Sequence, residues 1–235
     1  MSNLLRLSAY LFLCVSLNTF GALYDRGNGL IYDDVLDITW LQDANYAQTS
    51  GYDSDGLMTP SQAMAWADQL SYGGYDDWRL PLANLMNPTS PCYGNDGSCD
   101  MGYNNTTGEL GHMYYNNLGG VGFRDTNGNV VQSGWGFTNS SFTDGNSGAS
   151  VSFVNLQNAS NWYWLDEEYE PDNAYAWAFY NNGGQGFMDQ DATGYGWAVR
   201  AGDVSSVPLP AGIYLFLSGL VGLGLMRGRN NLVQE

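Results

Sequence analysis

Gly73-Gly74-Tyr75-Asp76-Asp77-Trp78-Arg79-Leu80-Pro81 is the stretch on which the reading of this chain turns. Upstream, the pattern predicts a helix over Thr59 to Ser71. Thr59 can cap it, Pro60 suits the first helical position, and Gln62 completes a capping box. Ala63, Trp66, Ala67 and Leu70 then share one face. Gly73 is expected to end the helix in a left-handed conformation, and the chain to run on as a strand to Pro81. Arg79 stands out because cations are scarce. The chain has seven arginines and no lysine. Flanked by Trp78 and Leu80, Arg79 should reach a carboxylate with its planar fork, either as an ion-pair centre of the fold or as a ligand contact.

Further pieces stand around this run. Gly29-Leu30-Ile31-Tyr32-Asp33 and Thr39-Trp40-Leu41 precede it, and Met113-Tyr114-Tyr115-Asn116-Asn117-Leu118-Gly119 follows. Tyr195-Gly196-Trp197-Ala198-Val199-Arg200 closes the set. With the central run, in this order, they resemble the hallmark of the Lcl C-terminal family, also catalogued as domain-of-unknown-function family 1566. The resemblance covers residues 23 to 203. It implies an extracytoplasmic domain, since the name-giving member is a bacterial adhesin. It also implies a single α+β domain, similar to C-type-lectin-like and sulfatase-modifying-factor-like folds, with short antiparallel strands and two helices. It marks Tyr75, Asp77, Trp78, Arg79, Pro81, Trp197 and Arg200 as structural hallmark positions. It brings no catalytic set with it.

Composition agrees with an exported, loop-rich domain. The 235 residues include 17 Tyr, 8 Trp and 31 Gly, a mix unlike that of a helical bundle. The formal net charge is −17. With Arg6, Arg227, Arg229 and Glu235 set aside, four arginines face 23 acids, a net charge of −19. Such a domain repels nucleic acid and anionic membranes and attracts cations.

Both ends read as processing segments. Residues 1–22 resemble a secretory signal peptide, with Arg6, an apolar core from Leu7 to Leu17, and small residues at Gly21-Ala22. Cys14 sits inside that core, not at its end, which argues against a lipoprotein signal. At the other end, Val207-Pro208-Leu209-Pro210-Ala211 precedes an uncharged apolar run from Gly212 to Met226, then Arg227 and Arg229. This predicts a transmembrane helix over about 209–226 with its arginines on the cytoplasmic side. The order of motif, helix and arginines is similar to PEP-CTERM sorting signals of the VPLPA variant, which exosortases process. A plain anchor would account for the helix and arginines but not for the proline pair.

Within the body, Asn28-Gly29 predicts a tight hairpin turn and Val35 to Leu41 an alternating extended run. Asp53-Ser54-Asp55-Gly56 reads as an Asp-Gly turn or, with Asp189 and Asp191, as a weak calcium ligand set; no other cofactor is indicated. Cys92 and Cys99 suit a loop-closing disulfide in an exported chain, with a redox or copper pair as the alternative. Gly108 to Leu118 predicts a second helix carrying His112, the only histidine. Asp125 to Asn129 reads as a hairpin tip. In Trp162-Tyr163-Trp164 the two tryptophans are expected in the core with Tyr163 outward, although aromatics beside Asp166, Glu167 and Glu168 also suit sugar binding. Tyr175-Ala176-Trp177-Ala178-Phe179 and Tyr195-Gly196-Trp197-Ala198-Val199 share a pattern and are expected to pair antiparallel. The loop between them, with the insert near Cys92, is the expected ligand site.

These readings together point to a non-enzymatic protein of the cell surface or exopolysaccharide matrix of a Gram-negative bacterium, binding glycans or surfaces. Its expected partners are the secretion machinery, an exosortase, and the membrane before processing. A purely structural matrix protein and an extracellular carbohydrate-active or sulfatase-modifying-like enzyme are the alternatives. A single histidine, no lysine and no nucleophile motif weigh against catalysis.

Overall fold

The computed structural model of the chain describes residues 22–157 and 160–204. The expected signal peptide with Cys14, and the sorting segment from Val207 onward, lie outside the described residues. Among those described, no helix is long and apolar enough to cross a membrane.

The domain is α+β, rich in short strands. Strands β1 (Leu23–Gly27), β2 (Leu30–Asp33) and β3 (Ile38–Leu41) form an antiparallel meander, and β11 (Val199–Ala201) adds to β3. The first and last strands of the domain thus share one sheet. The β1–β2 turn uses Asn28 at φ 53° and Gly29 at φ 77°, the positive pair that a tight hairpin requires. The run from Val35 is not extended throughout. Asp33 Oδ1 accepts the N–H groups of Val35 and Leu36, folding a turn before β3, whose four residues are all buried.

A second sheet orders β4 (Tyr93–Gly94), β5 (Met101–Gly102), β10 (Gln185–Asp189), β9 (Tyr175–Tyr180) and β8 (Trp162–Glu168). Here the sequence expectation fails. The partner of β9 is β10, in register from Gln185↔Phe179 to Asp189↔Tyr175, and not the Tyr195 to Val199 run. Asn181 to Gly184 lie between the two strands, and Tyr180 N–H reaches Gly184 C=O at 2.7 Å, so the next residues pair at once. Gln185-Gly186-Phe187-Met188-Asp189 lacks the aromatic alternation that marks its neighbours. Strand β8 departs from expectation as well. Tyr163 is fully buried, because β8 has protein on both faces, while Trp162, the first residue of the strand, is partly exposed. A two-stranded ribbon, β6 (Ser141–Thr143) with β7 (Ser150–Ser152), completes the sheets.

Three short α-helices occur where two are expected. They are α1 (Tyr46–Thr49), α2 (Pro60–Asp68) and α3 (Glu109–His112), the last continuing as a π-helical turn, Met113–Asn117. Helix α2 carries the expected capping box between Thr59 and Gln62 and buries Ala63, Trp66 and Ala67. It stops at Asp68, five residues before Gly73. Gly73 (φ 66°) and Gly74 (φ 89°) instead build a tight turn, across which Tyr72 and Tyr75 exchange backbone hydrogen bonds of 3.0 Å. The run to Pro81 is held by one bridge, Arg79 to Val199, and is not a regular strand.

Trp197 is the aromatic hub. Its ring lies 4.8 Å from Trp40, 5.1 Å from Phe153, 5.6 Å from Tyr163 and 6.4 Å from Phe137. Its indole N–H donates to Leu41 C=O at 2.7 Å, so burial leaves no polar atom of the ring unpaired. Cys92 and Cys99 form the expected disulfide and clasp the loop between β4 and β5. Replacing both cysteines with serine is expected to lower stability by about 2 to 3 kcal/mol, because so short a loop restricts the unfolded chain. Urea unfolding of the oxidised wild type against the double variant measures it, and equal midpoints would refute it.

Candidate functional site

The central run is tied down on three sides. Arg79 and Val199 exchange backbone hydrogen bonds of 2.9 Å each, joining the run to β11. Asp77 takes Nε and Nη2 of Arg200 at 2.7 and 2.9 Å, and the same guanidinium lies 4.0 Å from the Tyr75 ring centre. That pairing holds the Asp77 carboxyl below its ordinary value. Trp78 is buried and donates its indole N–H to Tyr75 C=O at 3.2 Å. Pro81 C=O accepts Asp166 N–H at 2.9 Å, docking the run on β8. The expected hallmark residues other than Trp197, which lies in the aromatic cluster, therefore meet at one junction.

Arg79 makes the predicted fork. Nη1 and Nη2 each lie 2.7 Å from a Glu109 oxygen, and Nη1 also donates to Leu80 C=O. Glu109 further accepts Leu82 N–H at 2.8 Å. The Glu109 side chain is 6% exposed and that of Arg79 26%. Burial alone would lower the arginine's pKa; the Glu109 bond and the nearby Asp166 and Glu167 outweigh it and raise the value.

The exposed edge of Arg79 lines a cleft of about 280 Å³. Helix α2 contributes Met64 and Asp68, the central run contributes Trp78 and Leu80, and β8 contributes Asp166. The Asp166 carboxyl is unusual. It is half-buried, it makes no ion pair, and among the described residues no donor reaches it. Burial pushes its pKa up, Arg79 opposes this, and Glu109 and Asp68 add to it. No family model, curated protein or solved structure matches the chain.

An apolar wall beside a carboxylate without donors suits a ligand rich in hydroxyl groups. Glu167 carries a pKa raised to about 7, mainly by burial. Its two oxygens take Ala83 N–H at 3.0 and 2.8 Å, and it does not line the cleft.

The other expected site residues are dispersed. Asp53 Oδ1 accepts the N–H groups of Asp55 and Gly56, and Asp55 accepts Leu57 N–H, so both carboxylates close their own turns. Among the described residues no three His, Cys, Asp or Glu side chains converge as metal ligands. The proposed combination of Asp189 and Asp191 with the Cys92 insert does not assemble. The insert pairs with β10 at Gln185, while Asp189 stands at the far end of that strand, about 14 Å away. His112 is buried, with Nδ1 2.9 Å from Asn116 Nδ2. Glu109 was not legible as Arg79's partner, since it is thirty residues distant and no local spacing marks it. Its place in the first turn of a helix is the only signal it carries.

Proposed function

We propose that this chain is an exported, non-enzymatic glycan-binding domain of the cell surface or exopolysaccharide matrix, delivered by an exosortase through Val207 to Arg229. We propose also that it is a Lcl C-terminal-like domain with C-type-lectin-like architecture. The meeting of Tyr75, Asp77, Arg79 and Arg200 around one junction supports that likeness. The observation that carries the binding reading is Asp166. It is an acceptor without donors on the wall of a cleft whose accessible apolar surface comes from Met64 and Ala65 of α2. Sugar hydroxyls would supply the missing hydrogen bonds, and the CH faces of a ring would pack on the apolar side.

A glycan array probed with wild type and Asp166→Asn tests this. The amide keeps the shape but loses a charged acceptor, so retention of uncharged oligosaccharides is expected to fall about tenfold, equivalent to one charge-assisted hydrogen bond. The melting temperature should hold or rise, because a desolvated charge has been removed. An array on which wild type retains no uncharged glycan, or on which the variant matches it, would defeat the reading.

A further inference from the structure

Four arginines lie among the described residues, and three are committed to carboxylates in the same way. Arg26 grips Asp203 with two nitrogens at 2.8 and 2.7 Å, Arg79 grips Glu109, and Arg200 grips Asp77. Arg124 differs. It donates Nη1 to Gly128 C=O at 2.7 Å and lies 5.9 Å from the Phe123 ring centre, and among the described residues it has no carboxylate partner. In a domain with 23 acids, a cation left without one calls for a reason.

Arg124 lines a second, open cavity of about 310 Å³, with Asn104, Gly120, Gly122 and Asp125 around it. The surroundings are fixed in place. Asn104 donates to Arg124 C=O at 3.1 Å and to Asn95 C=O at 2.7 Å, fastening the hairpin to the disulfide-closed insert. Gly120 and Gly122 lie close against Tyr114 and Tyr115. A Cβ would come within 2.5 Å of the Tyr114 ring and 2.6 Å of the Tyr115 hydroxyl, so at these two positions on either side of Val121 the wall is backbone alone. Asp125 is held by its own turn, with Oδ1 accepting the N–H groups of Asn127 and Asn129 at 2.9 and 2.8 Å. Phe123 continues into an aromatic strip, 6.2 Å from Tyr103 and 5.4 Å from Trp135.

We infer that this cavity binds a hexuronic acid residue of an acidic polysaccharide. The uronate carboxylate takes the unused N–H groups of Arg124, which match it bidentately. A ring hydroxyl donates to Asp125, and the aromatic strip lies beside the next sugar. The choice of a sugar rests on the glycan-binding reading, but the site shares no residue with the Asp166 cleft. Because the domain carries a net charge of −19, its long-range field repels such a ligand. Binding then depends on the short contact to Arg124, and salt that screens the repulsion should not weaken it.

Calorimetric titration of the full domain with a galacturonic acid trisaccharide, its methyl ester and an uncharged galactose trisaccharide tests the inference. Wild type should bind the acid and hold its affinity from low to physiological ionic strength. Esterification, or Arg124→Gln, should each weaken binding about tenfold or more, as expected for a lost charge-assisted pair. Arg124→Lys should restore part of it, with melting temperatures unchanged. Asp166→Asn should leave uronate binding intact while weakening retention of the uncharged glycans. Uronate binding that ignores Arg124→Gln or the ester, that falls steadily with salt, or that is absent in wild type overturns the inference. Retention of uncharged glycans with no uronate binding overturns it alone. Uronate binding lost with Arg124, beside no effect of Asp166→Asn on uncharged glycans, supports it and defeats the cleft reading.

Discussion

Glu109→Ala is expected to cost the domain about 3 to 5 kcal/mol, the largest single-residue effect outside the aromatic core. The substitution leaves Arg79 with no hydrogen-bonded carboxylate in a position where only its cleft edge meets water, and it leaves Leu82 N–H without its 2.8 Å acceptor. Arg79→Lys should recover little relative to Arg79→Met, because an ammonium cannot serve both Glu109 oxygens and Leu80 C=O in the same plane. Replacing both partners with apolar residues, Arg79→Met with Glu109→Leu, should be milder than Glu109→Ala alone, since no bare charge remains. Urea midpoints for the wild type and the four variants decide it. A loss below about 1 kcal/mol in Glu109→Ala would mean that water in the cleft solvates Arg79 and that the junction does not depend on the pair.

Glu167 should make the domain less stable at alkaline than at mildly acidic pH. Its pKa is raised from 4.5 to about 7, chiefly by burial, with the Ala83 and Asn84 N–H groups opposing. The folded state therefore binds the proton more tightly than the unfolded chain. Stability is highest below the unfolded value, declines as pH rises from 4.5 towards 7, and is level above that. Full ionisation destabilises by roughly 3 kcal/mol, equivalent to about 6 to 12 °C in melting temperature for a domain of this size. General repulsion in so acidic a domain slopes the same way, so the comparison needs Glu167→Gln. At pH 8 the variant should melt higher than wild type, and at pH 4 the two should converge. Parallel melting curves across that range would show that Glu167 ionises freely. Asp77 works in the opposite sense. Arg200 holds its carboxyl low, so its contribution disappears only in strong acid.

The parts of the fold that were legible in the sequence are those decided within a few residues. Thr59, Pro60 and Gln62 specify the start of α2 because a capping box needs only four neighbours. Asn28-Gly29 specifies a hairpin because both residues tolerate positive φ. Arg79 announces a bidentate partner through its scarcity and its apolar neighbours, and Cys92 with Cys99 announces a disulfide through spacing in a polar loop. The same locality explains the misreading of Gly73. A glycine after a helix fits both a helix end and a tight turn, and the exchange between Tyr72 and Tyr75 selects the turn.

Alternation misled the reading of β8. It assumes one wet face, but helix α2 lies against β8 on one side and the Trp197 cluster on the other, so both faces are buried. Likeness of pattern was equally no guide to pairing. Two runs with the same aromatic spacing have different partners: β9 pairs with β10, whereas the second run bridges β8 at Tyr195 and joins β3 through β11 at its end. The sequence by itself determined the charge, the capped helix, the turns, the disulfide and the kinds of side chain that an arginine would seek. Only the tertiary structure decided which carboxylate each arginine found: Glu109 for Arg79, Asp77 for Arg200, and none among the described residues for Arg124. Among 23 acids any pairing is electrostatically acceptable, and long-range chain packing selects the partner by bringing one carboxylate within hydrogen-bond reach.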